Sequence, residues 1–97
     1  MIFYYVYILK CSDNSYYTGI TNDLCRRIEE HNNGVNPTCY THNRRPVHLA
    51  FSSEFIDVNL AILFEKQIKG WSRKKKEAII NGDWNLLPEL SKNKMKK

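Results

Sequence analysis

The feature that most restricts the fold is an unbroken apolar and aromatic run near the start of the chain, Ile2 to Leu9. Successive side chains of a β-strand point to opposite faces of a sheet, and this run is apolar at both alternating sets of positions. We therefore expect a strand in the middle of a sheet, where both faces are covered. The run breaks at Ser12 to Ser15, and a second short strand follows, Tyr16 to Ile20. Two strands joined in this way predict a hairpin.

The hairpin carries two tyrosines, Tyr7 and Tyr17, and the length of the loop decides whether they share a face. Opposite residues in a hairpin lie on one face and successive residues alternate, so an even-numbered loop would separate these tyrosines. A common site requires an odd-numbered loop or a bulge. Asn14 favours a three-residue loop, because Asn tolerates the left-handed conformation that closes it. Gly19 weakens the second strand, which indicates a close approach to the backbone, as in a catalytic cleft.

The first predicted helix begins at Thr21 or Asn22, has Asp23 in its first turn, and stops at residues 32–34. One stripe of this helix, at positions i, i+3, i+4 and i+7, contains Leu24, Arg27, Ile28 and His31. Arg27 and His31 are therefore expected to lean toward the sheet with the apolar residues. A cation on a core-facing stripe is costly unless it is paired or reaches a cleft.

A loop at residues 34–46, a third strand at 47–55 and two more helices complete the predicted elements. The first of these helices is capped by Asp57 and runs to about Gly70; the second is capped by Ser72. Residues 58–64 are apolar nearly all round, which predicts burial against the sheet. Glu65 interrupts this segment, and its carboxylate stays charged only beside a cation such as Lys69, Arg27 or a divalent metal.

The predicted fold is α/β, a small and mainly antiparallel three-stranded sheet flanked by about three helices, over residues 1–83. Residues 84–97 are rich in lysine and are expected to form a frayed basic tail. No apolar run approaches the ~20 residues that cross a bilayer, and the start does not read as a signal peptide. Three cysteines at unrelated spacings, Cys11, Cys25 and Cys39, suit a reducing compartment, so we expect the cytoplasm.

The positive charge of the chain predicts a polyanionic partner. The formal net charge is +5 and the pI is about 9.2, which favours nucleic acid. Basic residues cluster at Arg44-Arg45 and at Arg73 to Lys76, the start of the third helix. Cations at a helix N-terminus are unfavourable, and a bound phosphate would reverse that penalty. We expect these clusters to contact phosphate and not to read bases.

The ordered set Tyr5-Val6-Tyr7, Tyr17-Thr18-Gly19, Arg27, His31 and Glu65 resembles the GIY-YIG nuclease superfamily over about residues 3–80, in particular its small single-domain members. The family is named for two tripeptides, for which Tyr5-Val6-Tyr7 and Tyr17-Thr18-Gly19 stand here. Tyr5 replaces the glycine of the first tripeptide, and Thr18 replaces the isoleucine of the second. The resemblance implies that Tyr7 or Tyr17 activates or orients the attacking water and that Arg27 holds the scissile phosphate. It also implies that Glu65 binds one Mg²⁺ or Mn²⁺. His31 is either a proton-transfer or phosphate partner, or a histidine at the edge of the core.

The resemblance further implies a divalent-metal-dependent DNA endonuclease that acts on structure, such as a branched, flapped or damaged DNA in repair. A protein partner is a possible source of substrate recognition, and no membrane partner is expected. The candidate substrate-binding residues are Gly19, Arg44, Arg45, Lys69, Arg73, Lys74 and Lys75. Either Asn81 or Asn85 would supply the asparagine that the family often carries.

Several alternatives stay open on sequence alone. Arg27 could pair with Glu30 or Glu65, and Glu65 could pair with Lys69, without any catalytic role. Cys39 and His42 have the spacing of a single zinc-ligand pair, and structural zinc is not expected from one pair. The whole chain could be a nucleic-acid-binding module that binds phosphate without catalysing hydrolysis, or an adaptor whose apolar edge binds a protein.

Overall fold

Three strands and three helices form the described part of the chain, residues 2–82, in a computed structural model. In chain order they are β1 (Tyr4–Lys10), β2 (Tyr16–Thr21), α1 (Leu24–Asn32), β3 (His48–Phe55), α2 (Val58–Lys69) and α3 (Arg73–Ile80). The sheet order is β2-β1-β3, and β1 pairs antiparallel with both neighbours. The predicted α/β class and the central position of the first strand are confirmed. The predicted basic tail, with Asn85, lies outside the described residues.

The β1–β2 hairpin places both tyrosines on one face of the sheet. Tyr7 lies opposite Gly19, and Leu9 lies opposite Tyr17. The Cys11 amide donates a hydrogen bond of 2.8 Å to the Ser15 carbonyl oxygen, which leaves a three-residue loop at residues 12–14. Asn14 has φ of 70°, the left-handed conformation that such a loop requires at its last position. The odd-numbered loop is confirmed.

Strand β1 is buried on both faces, and each face has its own core. Val6 and Ile8 pack with residues of α2 and α3, namely Ala61, Ile68 and Ile79. Tyr7 and Leu9 pack on the opposite face with Cys11, Val47 and, from α1, Leu24 and Ile28. Helix α1 therefore covers one side of the sheet, and α2 and α3 cover the other. The site described below lies on the α1 side.

Helix α1 begins at Leu24, two or three residues after the predicted start at Thr21 or Asn22. Asp23 is its N-cap and not a first-turn residue, since its Oδ1 accepts a hydrogen bond of 3.2 Å from the Arg26 amide. A short carboxylate side chain at this position satisfies an amide that lacks a helical partner. The predicted stripe is confirmed, because Leu24 and Ile28 pack in the core and His31 is buried. Arg27 and His31 consequently face the sheet.

Helix α2 has the predicted ends, with Asp57 as N-cap and Gly70 as C-cap. The prediction that residues 58–64 are buried against the sheet is right for one side of the helix only. Ala61 and Ile68 are completely buried, whereas Leu60 and Leu63 are 54% and 63% exposed. The sheet covers only one side of the helix, and within residues 2–82 nothing covers the other. Over the same residues no helix combines the length and apolar character needed to span a bilayer.

The two sides of α2 should therefore differ in their contribution to stability. Ile68→Ala should lower the free energy of unfolding by about 2–5 kcal/mol, because it leaves a cavity in the core. Leu63→Ala, on the same helix, should change it by less than about 0.5 kcal/mol. Urea unfolding followed by circular dichroism measures both. Equal losses would show that the exposed side of α2 is covered in solution.

Candidate active site

Strand β1, strand β2 and helix α1 bring four of the predicted site residues together. The Tyr7 hydroxyl lies 3.1 Å from His31 Nε2, and Arg27 Nε donates a hydrogen bond of 3.4 Å to the Tyr7 oxygen. The Tyr17 ring centre is 6.4 Å from that of Tyr7 and 5.1 Å from that of His31. Two phenols, one imidazole and one guanidinium thus surround a single point on the α1 side of the sheet.

Gly19 makes this arrangement possible. It lies directly opposite Tyr7 in the sheet, and a Cβ atom at this position would overlap the Tyr7 hydroxyl oxygen and Cζ. The close approach that the sequence indicated is therefore real, but the group that approaches is the phenol of Tyr7. A direct contact between Gly19 and substrate stays a prediction.

Each ring nitrogen of His31 has a hydrogen-bond partner. Its Nδ1 lies 2.8 Å from Thr41 Oγ1, and the Thr41 hydroxyl donates to Cys39 Sγ at 3.5 Å. With the Thr41 proton directed to Cys39, the Thr41 oxygen accepts the Nδ1 proton of His31, and we assign this tautomer. The Nε2 atom then carries a lone pair and accepts a hydrogen bond from the Tyr7 hydroxyl. His31 is thus both buried, as in the core-edge alternative, and in contact with the candidate catalytic phenol.

Burial decides the charge of this pair. Burial, together with the nearby positive charge of Arg27, lowers the pKa of His31 below its ordinary value of 6.5. Burial also raises the pKa of Tyr7, and the hydrogen bond from Arg27, which acts in the opposite direction, does not offset it. Arg27 alone therefore does not yield a phenolate at neutral pH. The resting site holds a neutral imidazole beside a protonated phenol.

Cys39 connects the second tyrosine to the same network. Burial raises the pKa of the Tyr17 hydroxyl, and the charge and hydrogen bond of Cys39 raise it further. Burial also raises the pKa of the Cys39 thiol, but hydrogen bonds from Thr41 and Tyr17 outweigh this and the net shift is downward. Sequence reasoning missed the site roles of Cys39 and Thr41. They lie in the 34–46 loop, where no periodicity signals which side chains point inward.

Glu65 approaches the cluster from α2. Its side chain is 13% exposed, and its Oε2 atom lies 3.1 Å from Lys69 Nζ, the pairing expected from their i,i+4 spacing. Its negative charge contributes, after burial and the effect of Cys39, to the raised pKa of Tyr17. The carboxylate is therefore within electrostatic range of the site. A charge on the α2 side of the sheet thus acts on a hydroxyl group on the α1 side.

The donor set near Glu65 fits a hard cation with few protein ligands. Among residues 2–82 no three His, Cys, Asp or Glu side chains lie together as a metal-binding group. Mg²⁺ commonly keeps several waters and takes only one or two carboxylates from the protein. Glu65 alone, with water completing the shell, satisfies that pattern.

The basic residues predicted to bind substrate have different surroundings. Arg45 ties the loop to α1, since its guanidinium donates to the carbonyl oxygens of His42 and Asn32 at 2.7 and 3.4 Å. Arg73 pairs with Glu77 at 3.0 Å and lies over the Tyr16 ring. Lys74 is exposed.

Lys75 does not lie on the exposed basic surface that the sequence predicted. It is 7% exposed, and its ammonium is 4.5 Å from the centre of the Trp71 ring. Lys75 lies on the same side of α3 as the buried residues Ala78 and Ile79, three and four positions further on, and therefore points inward. Asn81 forms the C-cap of the same helix.

This chain is similar to known proteins over most of its described length. A family model described as the GIY-YIG catalytic domain matches residues 3–78. The UPF0213 protein YazA of Bacillus subtilis is 44% identical over 77 residues, which are 79% of this chain and 77% of that protein. A UPF0213 protein of Staphylococcus aureus is 43% identical over 77 residues, which are 79% of this chain and 93% of that protein.

Two solution NMR structures have the same fold. The UPF0213 protein BH0048 from Bacillus halodurans has a TM-score of 0.55 at 40% identity, covering 82% of this chain and 84% of that one. The protein EF2693 from E. faecalis has a TM-score of 0.59 at 32% identity, covering 84% of this chain and 86% of that one.

The space at Gly19 can be tested by filling it. Gly19→Ala should displace the Tyr7 ring, lengthen the Tyr7–His31 hydrogen bond and lower stability by about 1–3 kcal/mol, the usual cost of overpacking. Gly70→Ala is the matched control, because φ is −86° there and the nearest atom to a new Cβ is 3.7 Å away. Urea unfolding gives the stabilities, and NMR shifts of His31 report the displacement. An unchanged His31 environment in Gly19→Ala would contradict the proposed role of this glycine.

The neutral state of His31 predicts a particular response to pH. Its pKa should lie below 6.5 in an NMR titration of its ring protons, with the resonance assigned by comparison with His31→Gln. Because the folded state then binds fewer protons than the unfolded state, the stability due to neutral His31 should be fully present above pH 6.5. That stability should be lost as the pH falls through the folded pKa. A folded pKa above 6.5 would refute the assignment.

Proposed function

This chain belongs to the GIY-YIG catalytic domain family, and we propose from this premise that it is a metal-dependent endonuclease that hydrolyses phosphodiester bonds in DNA. The observation that carries the proposal is the contact of Tyr7 with both His31 and Arg27, beside Tyr17. Phosphodiester hydrolysis requires a proton acceptor for the attacking water and positive charge for the developing oxyanion. These residues offer both at one point.

Proton transfer from water uses the Tyr7–His31 pair. The water gives a proton to the Tyr7 oxygen while Tyr7 passes its own proton to His31 Nε2. Tyr7 is a neutral phenol before and after this step, and the positive charge appears on His31. The Thr41 oxygen accepts the Nδ1 proton throughout and holds the ring in the required tautomer. A buried phenol with a raised pKa can act in this way because it never has to exist as a free phenolate.

Arg27 supplies positive charge to the phosphate. Its guanidinium is partly exposed and already lies between the Tyr7 hydroxyl and the Glu30 carboxylate, with Nη1 at 3.1 Å from Glu30 Oε1. A phosphate oxygen can replace the carboxylate on the exposed side, since guanidinium binds both groups with similar geometry. The Tyr17 hydroxyl lies on the same side and orients the water or the phosphate.

Glu65 is the residue that would hold Mg²⁺ or Mn²⁺. The ion supplies charge stabilisation of the phosphoryl oxygens when bound. In the structure, Lys69 balances the Glu65 charge at 3.1 Å.

The surface beside Glu65 is suited to a polyanion. Burial lowers the pKa of Lys76, and the like charge of Lys69 lowers it further, so the two ammonium groups repel each other. A phosphate placed between them would remove that repulsion. Arg73 and Lys74 extend the same basic surface at the start of α3.

Contacts of this kind hold the backbone of DNA and carry no sequence information. We accordingly propose selection by DNA structure, such as a branched, flapped or damaged site in repair, with a protein partner as a source of further recognition. The cysteines Cys11, Cys25 and Cys39 are free, which suits the cytoplasmic location that we propose for the protein.

A cleavage assay with two matched arginine variants tests the proposal. The purified chain is incubated with single-stranded, duplex and branched DNA in Mg²⁺, Mn²⁺ or EDTA. Arg27→Ala should lose about 10²–10³-fold in rate, the typical effect of removing one charge-stabilising donor. Arg26→Ala removes a neighbouring arginine on the same helix that is 66% exposed, and its rate should stay within a few-fold of the parent.

Glu65→Gln should lose cleavage in both metals while keeping DNA affinity. Retained binding with no cleavage in any metal would instead indicate a binding module that uses the same basic surface. A third function, an adaptor for a protein partner, has one observation in its favour, the exposed Leu60, Ile62 and Leu63 of α2. Association with a protein that is insensitive to salt and independent of DNA would support that function.

A further inference from the structure

Three flat groups lie in a row that begins inside the candidate active site. The rings of Tyr17 and Tyr40 are nearly parallel, with 16° between their planes and 6.3 Å between their centres. The Arg44 guanidinium carbon lies 3.8 Å from the centre of the Tyr40 ring. The row leads from the catalytic cluster through the 34–46 loop toward the surface. We call Tyr40 and Arg44 the outer platform.

The outer platform is held in place by polar contacts on its edges. Arg44 Nε donates to Asp13 Oδ2 at 3.0 Å, and Nη1 donates to the Tyr40 carbonyl oxygen at 2.7 Å. The Ser12 amide donates to the Arg44 carbonyl oxygen at 2.9 Å, which ties this loop to the β1–β2 hairpin. A planar group restrained in this way needs little ordering to bind a second planar group.

The charge of Arg44 is largely committed within the chain. Its guanidinium forms an ion pair with Asp13, so its attraction for a phosphate is partly cancelled. Both residues are nevertheless accessible to solvent, since Tyr40 is 44% exposed and the Arg44 side chain is 35% exposed. What the platform offers to a ligand is therefore flat surface more than net charge. Flat aromatic and guanidinium surfaces are those on which nucleobases stack.

We propose that an unpaired nucleobase next to the phosphate that is cut stacks on the outer face of the Arg44 guanidinium. Tyr40 supports that guanidinium from behind, because Tyr17 and Arg44 already cover the two faces of its ring. The base must be unpaired, because in a duplex its two faces are already covered by neighbouring bases. It must be close to the cut, because Tyr40 lies against Tyr17, which belongs to the catalytic cluster. The inference rests on the proposed nuclease function and narrows it to single-stranded, flapped or gapped substrates.

Such a site is tolerant of sequence. Every base has a π-face, and stacking discriminates weakly among them. The site would therefore recognise the absence of pairing without reading which base is present. This agrees with phosphate contacts elsewhere on the surface that read no bases.

The binding test is independent of cleavage and uses the full chain in EDTA. Affinity is measured by fluorescence anisotropy for a labelled single-stranded oligonucleotide and for a duplex of the same length. Tyr40→Leu, which keeps apolar bulk but removes the ring that holds the Arg44 plane in position, should weaken single-strand binding roughly tenfold more than duplex binding, the size of one lost base stack. Tyr40→Phe keeps the ring and should retain the preference for the single strand.

An oligonucleotide with 2-aminopurine at successive positions should show quenching at one position with the parent chain and with Tyr40→Phe, and none with Tyr40→Leu. Equal weakening of both DNA forms by Tyr40→Leu, or equal affinity of Tyr40→Leu and Tyr40→Phe for the single strand, would overturn the proposal. Thermal unfolding of both variants shows whether a loss arises from misfolding. If Tyr40→Leu is unfolded, quenching that disappears in Arg44→Gln but persists in Arg26→Gln, on the exposed side of α1, supports the platform, and unchanged quenching in Arg44→Gln overturns it.

A cleavage experiment separates this inference from the proposed function. An abasic site is placed beside the scissile phosphate of a single-stranded substrate. Slower cutting of the abasic substrate by the parent chain supports the platform. Equal rates of cutting for both substrates would agree with the nuclease function but would contradict the stacking site. If no substrate is cut, the nuclease proposal fails, and the binding and quenching results alone decide the stacking site.

Discussion

The hydrogen bond between the buried Tyr7 hydroxyl and His31 is the interaction on which the rest of the site depends. A phenol in the interior loses its contact with water, so it requires a polar partner there. Strand β1 supplies the phenol, α1 supplies the imidazole, and Gly19 of β2 leaves the space for the ring. Each of the three elements thus contributes something that the other two cannot replace. Burial of the ring and the nearby charge of Arg27, which lower the pKa of His31, explain why a neutral histidine lies at this position.

The 34–46 loop completes the site from outside the regular elements. Thr41 orients His31, and Cys39 joins Tyr17 to the same network. Arg45 fastens the loop to α1, and the Arg44 backbone fastens it to the hairpin. A loop with such anchors at both sides can present Tyr40 at the surface without losing the position of the inward residues. The same segment therefore supports the proton-transfer pair and forms the outer platform.

The charges of the site come from opposite sides of the sheet. Arg27 belongs to α1, and Glu65 belongs to α2 beneath the other face, yet both act on the Tyr17 hydroxyl. Each is partnered within the chain, Arg27 by Glu30 and Glu65 by Lys69. These pairs limit the cost of placing charge near the core. Both remain exchangeable, because Lys69 is 60% exposed and Arg27 and Glu30 are both partly exposed. The resting protein is thus stable without substrate while its charged groups remain available to one.

Local rules determined much of this protein from its sequence. The alternation of Ile2 to Leu9, the turn chemistry of Asn14, the caps Asp57 and Ser72, and the stripe of α1 depend on residues within a few positions of one another. The wrong expectations arose where burial depends on distant partners, as for the exposed side of α2 and the inward turn of Lys75. Tertiary structure alone decided the hydrogen-bond partners of His31, the inward positions of Cys39 and Thr41, and the row from Tyr17 to Arg44. The physical reason is that periodicity and capping act over one or two turns of chain. Contacts across a loop depend on the packing of the whole domain, which no local pattern encodes.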